Sequence, residues 1–404
     1  MNVTKLNNHT SKTSATMASV ESNISEKSPT KKHVAIIFGS TGLAGRELIT
    51  RLIMRSWKVY GVARKPNRFA PREDSVDFQF ISCDLLDPMD TEAKLSPLED
   101  VTHMYWITWA NQYPLNTREC CDQNKAMLSN ALNAILPRAK ALEHVSLQTG
   151  TKHYVSISAY LLTSIRRLLM MSDVKRVYTE ESPRAFGTNN FYYALEDLLK
   201  ERLDRRVGWS VQRPGLIVGV SERSWFNFIG GLSVYGTICK RLNLPFVFGG
   251  TKSCWNEPYV IDISDARLVA EQHIWASTDS EISSRYGEAF NCINGPEFKW
   301  SEIWSDIARK FDIEESMFSE EFKYKNEMAD HGQLWQEIIK ENGLKLTKLD
   351  DLASWDFLDM LFRCPLSLQV TREKADRFGF TMRYTVLESI LYWIDQMREQ
   401  KLIA

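Results

Sequence analysis

An α/β fold, a doubly wound parallel sheet, follows from three observations on this chain of 404 residues. Short apolar runs alternate with helical patterns from Val34 to Pro214, as β–α–β units do. The first run, Val34 to Phe38, is apolar throughout, which marks a strand buried on both faces. A glycine-spaced turn, Gly39 to Gly45, follows at once and opens a helical pattern.

The elements follow in order. After Val34 to Phe38, a helical stretch covers Arg46 to Met54. Lys58 to Ala63 reads as a second strand, Phe78 to Ser82 as a third, and His103 to Thr108 as a fourth. A helical pattern from about Asn124 to Leu142 leads to a fifth strand, His144 to Leu147. Trp209 to Pro214 is the sixth, broken by Pro214 and Gly215. Beyond Ser221 the alternation fades, and helical patterns rich in Trp and charge take over, as at Ser264 to Trp275 and Gln333 to Asn342. No internal repeat is visible. The expected organisation is a disordered leader over 1–32, a nucleotide-binding domain over 33–222, and a smaller, mostly helical substrate region over 223–404 that packs partly back onto it.

The 50 basic and 51 acidic residues nearly cancel, which gives no reason to expect nucleic acid as a partner. No apolar run approaches the roughly 20 residues that span a bilayer, so stable membrane insertion is not expected. Residues 1–32 are rich in Ser, Thr, Asn and Lys with no apolar core, unlike a secretory signal. They hold no Arg and include Glu21 and Glu26, which speaks against a transit peptide. Seven scattered Cys without a C-x-x-C argue for free thiols and no zinc site or disulfide framework. These points together predict a cytoplasmic protein without a metal. A homodimer is compatible with them. Twelve Trp and 19 Phe suggest aromatic-lined cavities as well as core.

The glycine turn sets the cofactor class. Gly39, Ser40, Thr41, Gly42, Leu43, Ala44 and Gly45 give the spacing G-x-x-G-x-x-G between a strand and a helix. Gly39 permits the tight turn, Gly42 lets backbone approach a pyrophosphate, and Gly45 lets the helix pack on the strand. A pyrophosphate sits there on free helix N–H groups. This makes the sheet Rossmann-type. The second strand ends in Arg64 and Lys65, where NAD-binding chains place Asp or Glu for the ribose 2′-hydroxyl. Two cations suit a 2′-phosphate, so the predicted cofactor is NADPH; plain solvated charges are the competing reading. Asp84, ending the third strand, can face the adenine or cap a turn.

A short-chain dehydrogenase carries Tyr-x-x-x-Lys on one helix, and none of the 14 Tyr here has Lys four residues on. A Tyr and a Lys must then come from separate segments, or the chain is inactive as an enzyme. Two supply them: Leu147 to Tyr154, containing Lys152, and Asn190 to Asp197, containing Tyr192 and Tyr193. These two, together with Gly39 to Gly45, Val59 to Arg64, Asp100 to Asn111 and Arg213 to Gly215, resemble the progesterone 5β-reductase and iridoid synthase family of plants, which are divergent extended short-chain dehydrogenases. The resemblance covers about residues 33 to 404.

It implies 1,4-reduction of an activated C=C bond by NADPH, on enones such as 3-oxo-Δ4-steroids or on a monoterpene dialdehyde that then cyclises. The small-molecule partner is therefore an enone or enal. Position by position, the catalytic Tyr matches Tyr192, the catalytic Lys matches Lys152, and a pocket aromatic matches Phe357. Trp109 and Tyr193 join the pocket, Tyr193 mainly by packing. Thr108, Pro214 and Ile217 complete the cofactor set, with Lys152 and Tyr192 themselves. These types suit the chemistry: a Tyr hydroxyl stabilises a developing enolate, while a Lys ammonium lowers the Tyr pKa and holds the cofactor ribose. One segment departs from the family. Over 155–177 the chain is longer, with Leu161, Ile165, Leu168 and Leu169 at helical spacing beside Arg166 and Arg167; it reads as a pocket-side helix or loop, or as a membrane-surface helix. The rival functions are a nucleotide-sugar epimerase of the same extended fold and a non-catalytic NADPH sensor.

Overall fold

Seven strands pair in parallel: β1 (Val34–Phe38), β2 (Lys58–Ala63), β3 (Phe78–Ser82), β4 (His103–Trp106), β5 (His144–Gln148), β6 (Gly208–Pro214) and β7 (Tyr286–Cys292). The structure is a computed structural model and describes residues 32–66, 77–155, 177–221, 226–258, 262–364 and 368–404. The leader apart from Lys32, and all but the ends of the segment 155–177, lie outside these residues. Spatial order is β7-β6-β5-β4-β1-β2-β3. The order therefore reverses between β1 and β4, and a crevice opens beyond their carboxyl ends.

The longer helices are α1 (Leu43–Met54), α2 (Pro88–Leu95), α3 (Arg118–Ile135), α4 (Phe191–Arg202), α5 (Phe228–Leu242), α6 (Ala266–Thr278), α7 (Trp300–Lys310), α8 (Gly332–Asn342), α9 (Trp355–Phe362) and α10 (Val386–Glu399). Helices cover both faces of the sheet, and β1 shows why its sequence is apolar throughout. Val34, Ile36 and Phe38 pack with Leu128 and Leu132 of α3 and Leu195 and Leu199 of α4. Ala35 and Ile37 point the other way, onto Leu48 and Leu52 of α1 and Ala270 and Ile274 of α6. The sheet is thus the doubly wound, Rossmann-type sheet expected.

Two elements differ from the sequence expectation. Helix α3 starts at Arg118, well before Asn124, because the Thr117 hydroxyl accepts from the Cys120 N–H and caps it. It ends at Ile135, since Pro137 cannot continue it. Strand β7 extends the sheet where alternation had faded. Gly287, at φ 85°, and a register shift between Tyr286 and Glu288 mask its pattern.

The C-terminal half builds its own apolar cluster around α5, α7, α8, α9 and α10. Trp300, Trp304 and Trp335 are fully buried there, so these tryptophans serve as core. All seven cysteines are free thiols. Among the described residues no helix is long and apolar enough to cross a membrane.

Candidate active site

The glycine turn needs its glycines. Gly39 sits at φ 91°, and a Cβ there would stand 2.9 Å from the Ile107 carbonyl oxygen. A Cβ on Gly45 would stand 2.2 Å from the Gly39 oxygen, so only glycine lets α1 pack this close. Gly42 caps α1 without any side-chain cap, leaving its first N–H groups to a ligand. The Ser40 hydroxyl is buried yet has no hydrogen-bond partner among the described residues. A buried orphan hydroxyl in a phosphate-sized cradle fits a bound pyrophosphate. Leu43 begins α1 and packs beside Gly219.

Gly39, Thr41 and Gly42 form one wall of a cavity of about 810 Å³. Arg64 and Lys65 line it from the end of β2, exposed, with no ion pair among the described residues. Asp84 lines it too, and its Oδ1 also accepts from the Leu86 N–H at 3.1 Å, so it faces the cavity and closes a turn at once. Thr108 and Trp109 complete the wall beyond β4. Pro214 ends β6 and Ile217 lies in a short strand, Leu216–Val218, paired with Ile263–Asp265. Neither of these two lines the cavity.

Asn124 was not foreseen. Its amide accepts from the Ala110 N–H at 2.8 Å and donates to the Ala110 carbonyl at 3.1 Å, which clamps the cavity wall to α3. The available signal was a polar residue on the buried face of α3, in line with Cys120, Met127 and Leu128.

Lys152 and Tyr192 come from separate segments and meet. Lys152 lies in the 3₁₀ turn Thr151–Tyr154 after β5, and Tyr192 in the first turn of α4. The Lys152 Nζ stands 5.3 Å from the centre of the Tyr192 ring and donates to Asn116 Oδ1 at 3.3 Å. Burial pulls the Lys152 pKa down to about 8, partly opposed by Cys120 and Cys121. Burial pushes the Tyr192 phenol well above its ordinary value. This is the reverse of the lowering that a neighbouring Lys would cause: the Lys152 ammonium stands over the ring, and desolvation dominates. The Tyr192 hydroxyl makes no hydrogen bond among the described residues, and Gly150 leaves it room, since a Cβ there would stand 3.0 Å away.

Tyr193 is engaged differently: its hydroxyl donates to the His153 carbonyl at 2.5 Å and accepts from the Ala185 N–H at 2.8 Å. A file of rings runs from the cavity into the C-terminal cluster. Trp109 stacks with Phe191 at 5.9 Å and with Phe226 at 6.1 Å, and Phe226 touches Phe357 of α9 at 5.0 Å. At the opposite end of the sheet, ligating atoms of His33, His103 and Glu143 lie within 4.8 Å of one another. Both ring nitrogens of His103 are already met there by Thr102 and Ser277.

Strand order, glycine cradle and crevice define a Rossmann-type, dinucleotide-binding fold. Solved structures agree on the fold alone: a UDP-glucose 4-epimerase (TM-score 0.60, 13% identical, covering 92% of this chain and 99% of that one) and the Thermus thermophilus UDP-glucose 4-epimerase in complex with NAD (TM-score 0.57, 14% identical, 90% and 99%). The chain belongs to the family of the PRISE-like Rossmann-fold domain, whose model matches residues 82–403. Relatives include an (S)-8-oxocitronellyl enol synthase of Camptotheca acuminata, 40% identical over 92% of this chain and 93% of its own. Another of that name, from Catharanthus roseus, is 37% identical over 92% of each. The 3-oxo-Δ(4,5)-steroid 5β-reductase of Arabidopsis thaliana is 37% identical over 94% and 95%.

Proposed function

We propose that this chain reduces the activated C=C bond of α,β-unsaturated carbonyls with NADPH, through the pair Tyr192 and Lys152. The observation that carries this is the pair itself: a half-buried phenol whose hydroxyl makes no hydrogen bond among the described residues, and an ammonium 5.3 Å from its ring. The family and its relatives, an enol synthase and a steroid 5β-reductase, support the reaction class. Arg64 and Lys65 support NADPH over NADH. The seven thiols support a reducing compartment, the cytoplasm.

The glycine turn and the Ser40 hydroxyl would hold the pyrophosphate, and Arg64 and Lys65 the 2′-phosphate. When bound, NADPH supplies a hydride to the substrate β-carbon. The C=C electron pair then moves toward the carbonyl, the oxygen takes the negative charge, and the α-carbon of the enolate is later protonated by water. Tyr192 stays a neutral phenol, because its raised pKa keeps the proton on, and it donates to that oxygen as charge develops. Lys152 remains mostly charged at neutral pH and adds a positive field beside the ring. Trp109 would offer an apolar wall to an apolar enone, backed by the rings of Phe226 and Phe357, which do not themselves line the cavity.

The test is steady-state kinetics with NADPH and a panel of enones, a steroid and an open-chain dialdehyde among them, with products followed by NMR. Tyr192→Phe removes one donor and should lower kcat by about 10²–10³ with little change in NADPH affinity. A Tyr192→Phe enzyme as fast as wild type would place the reacting group elsewhere. Bound NADPH without turnover of any panel member would favour a sensor.

A further inference from the structure

We infer that Asn190 and Tyr193 are positioning residues: they tie the first turn of α4 to the backbone of Lys152 and His153 and so fix how the Tyr192 phenol and the Lys152 ammonium face each other. The inference rests on reading that pair as the reactive centre. A helix bearing Tyr-x-x-x-Lys fixes the spacing of its two side chains through its own backbone. Here the two residues stand on different segments, Thr151–Tyr154 and Phe191–Arg202, so something outside the helix must set their distance.

The structure supplies it from one face of α4. Asn190, Tyr193 and Glu196 recur at three-residue steps, and each meets the Lys152–His153 turn. The Asn190 side-chain amide donates to the Lys152 carbonyl at 3.3 Å, and its Oδ1 accepts from the Tyr192 N–H at 3.2 Å. One buried amide thus holds the backbone of both reactive residues. The Tyr193 hydroxyl donates to the next carbonyl, that of His153, at 2.5 Å. Glu196 Oε1 lies 3.3 Å from His153 Nδ1 and 3.5 Å from the Arg213 guanidinium, which closes the row. Burial alone would raise the Glu196 carboxyl, but His153, Arg213 and Arg184 together hold it below its ordinary value, so it keeps its charge. None of these contacts touches the reacting side chains: Asn190 holds the backbone of Lys152 and Tyr192, Tyr193 holds the backbone next to Lys152, and Glu196 meets the His153 ring.

The two jobs of Asn190 can be separated. Serine caps a helix about as well as asparagine, but it is too short to reach the Lys152 carbonyl. Asn190→Ser therefore keeps the cap and cuts the tie without adding charge. Two readouts apply. One is independent of turnover: the rate of Lys152 acetylation by acetic anhydride against pH, read by peptide mass spectrometry. Lys152 is faced by Cys120 and Cys121 of α3, Asn116 before it, and Phe191 and Tyr192 of α4. Its titration should lie near 8 in the wild type and move toward about 10.4, the free-lysine value, once the turn is loose and water reaches the ammonium. The other readout is kinetic: kcat on an enone should fall by about tenfold to a hundredfold, as it does when reacting groups are misplaced, while the Kd for NADPH and the Tm stay close to wild type. Tyr193→Phe cuts the second tie and should move both readouts the same way.

If both variants fold and leave the Lys152 titration and kcat unchanged, the inference is overturned. If the wild type reduces no enone but the titration still shifts in both variants, the ties stand and the enone reading falls. If Asn190→Ser does not fold, Tyr193→Phe decides alone.

Discussion

Arg64 stands at the end of β2 with nothing but solvent and the cavity to spend its charge on, since no described residue pairs with it. An exposed cation in that state contributes little to folding, which leaves ligand binding as its use. A 2′-phosphate offers the oxygens that a guanidinium fork matches. Charge-assisted hydrogen bonds are worth about 1.5–3 kcal/mol, so Arg64→Glu should weaken NADPH by about tenfold to a hundredfold. It should leave NADH within a few-fold. Titration of both cofactors by fluorescence or calorimetry checks this, and equal losses for the two would remove Arg64 from the 2′-phosphate site. Lys65, beside it, carries the same charge to the same wall and would retain part of the preference.

The element that makes the cradle is the joint between β1 and α1. Replacing Gly45 with Ala puts a methyl 2.2 Å from the Gly39 carbonyl oxygen, a backbone atom that cannot swing away. The helix must shift, at a cost on the order of 1–3 kcal/mol, and the turn that receives the pyrophosphate shifts with it. Gly45→Ala should therefore lower the Tm by several degrees and weaken both cofactors alike. Gly332→Ala is the control: it opens α8 with nothing within 4 Å, and alanine there should be neutral or slightly stabilising. Equal melting temperatures for the two variants would mean that the joint has slack. The same joint was readable in the sequence, because a strand, its glycines and its helix are contiguous and each is dictated locally. So were the starts of β2, β3, β4 and β5. Helix α3 was misread at both ends, where a Thr cap and a proline outweigh the apolar pattern. Strand β7 was hidden by Gly287 and a register shift. The placing of Lys152 against Tyr192 is a different matter. Their contact is made across the fold, so spacing could not pair them, and only the resemblance did. The roles of Asn190, Asn116 and Asn124 are hydrogen bonds between distant segments, which leave no periodic trace.

At the scale of the whole molecule, the layer between β5, β6 and α6 is polar and buried, and it sets how the fold responds to acid. His144 meets Ser210 Oγ at 2.9 Å and the Ser283 carbonyl at 2.7 Å, and His273 meets Ser146 Oγ at 2.8 Å. Burial draws the His144 pKa down to about 4, and burial together with His144 draws His273 down to about 3. Both rings are therefore neutral in the folded chain, whereas the unfolded chain protonates them below 6.5. Between 6.5 and about 4 the unfolded state binds two more protons here, so stability falls as pH falls. Asp262 works the other way. Burial raises its carboxyl to about 7 against an ordinary 3.8, so in the same window the folded state holds a proton that the unfolded state has lost. Two protons favour the unfolded chain and one favours the folded, which leaves about one. Smaller shifts go both ways: Glu47 and Glu180 move up, and His153, Glu196 and Glu288 move down. One proton corresponds to about 1.4 kcal/mol per pH unit, a large fraction of an ordinary stability once two units are crossed. Urea unfolding should show a nearly flat midpoint between about pH 7 and 6.5, where the unfolded imidazoles and the folded Asp262 carboxyl take up protons together, and a falling one from about pH 6 to pH 4.5. Asp262→Asn removes the opposing proton and should about double the slope, whatever it does to stability at pH 7. An unchanged slope in that variant would mean that Asp262 is ionised in the folded chain, and that water reaches the carboxylate which Val370 N–H caps at 2.9 Å.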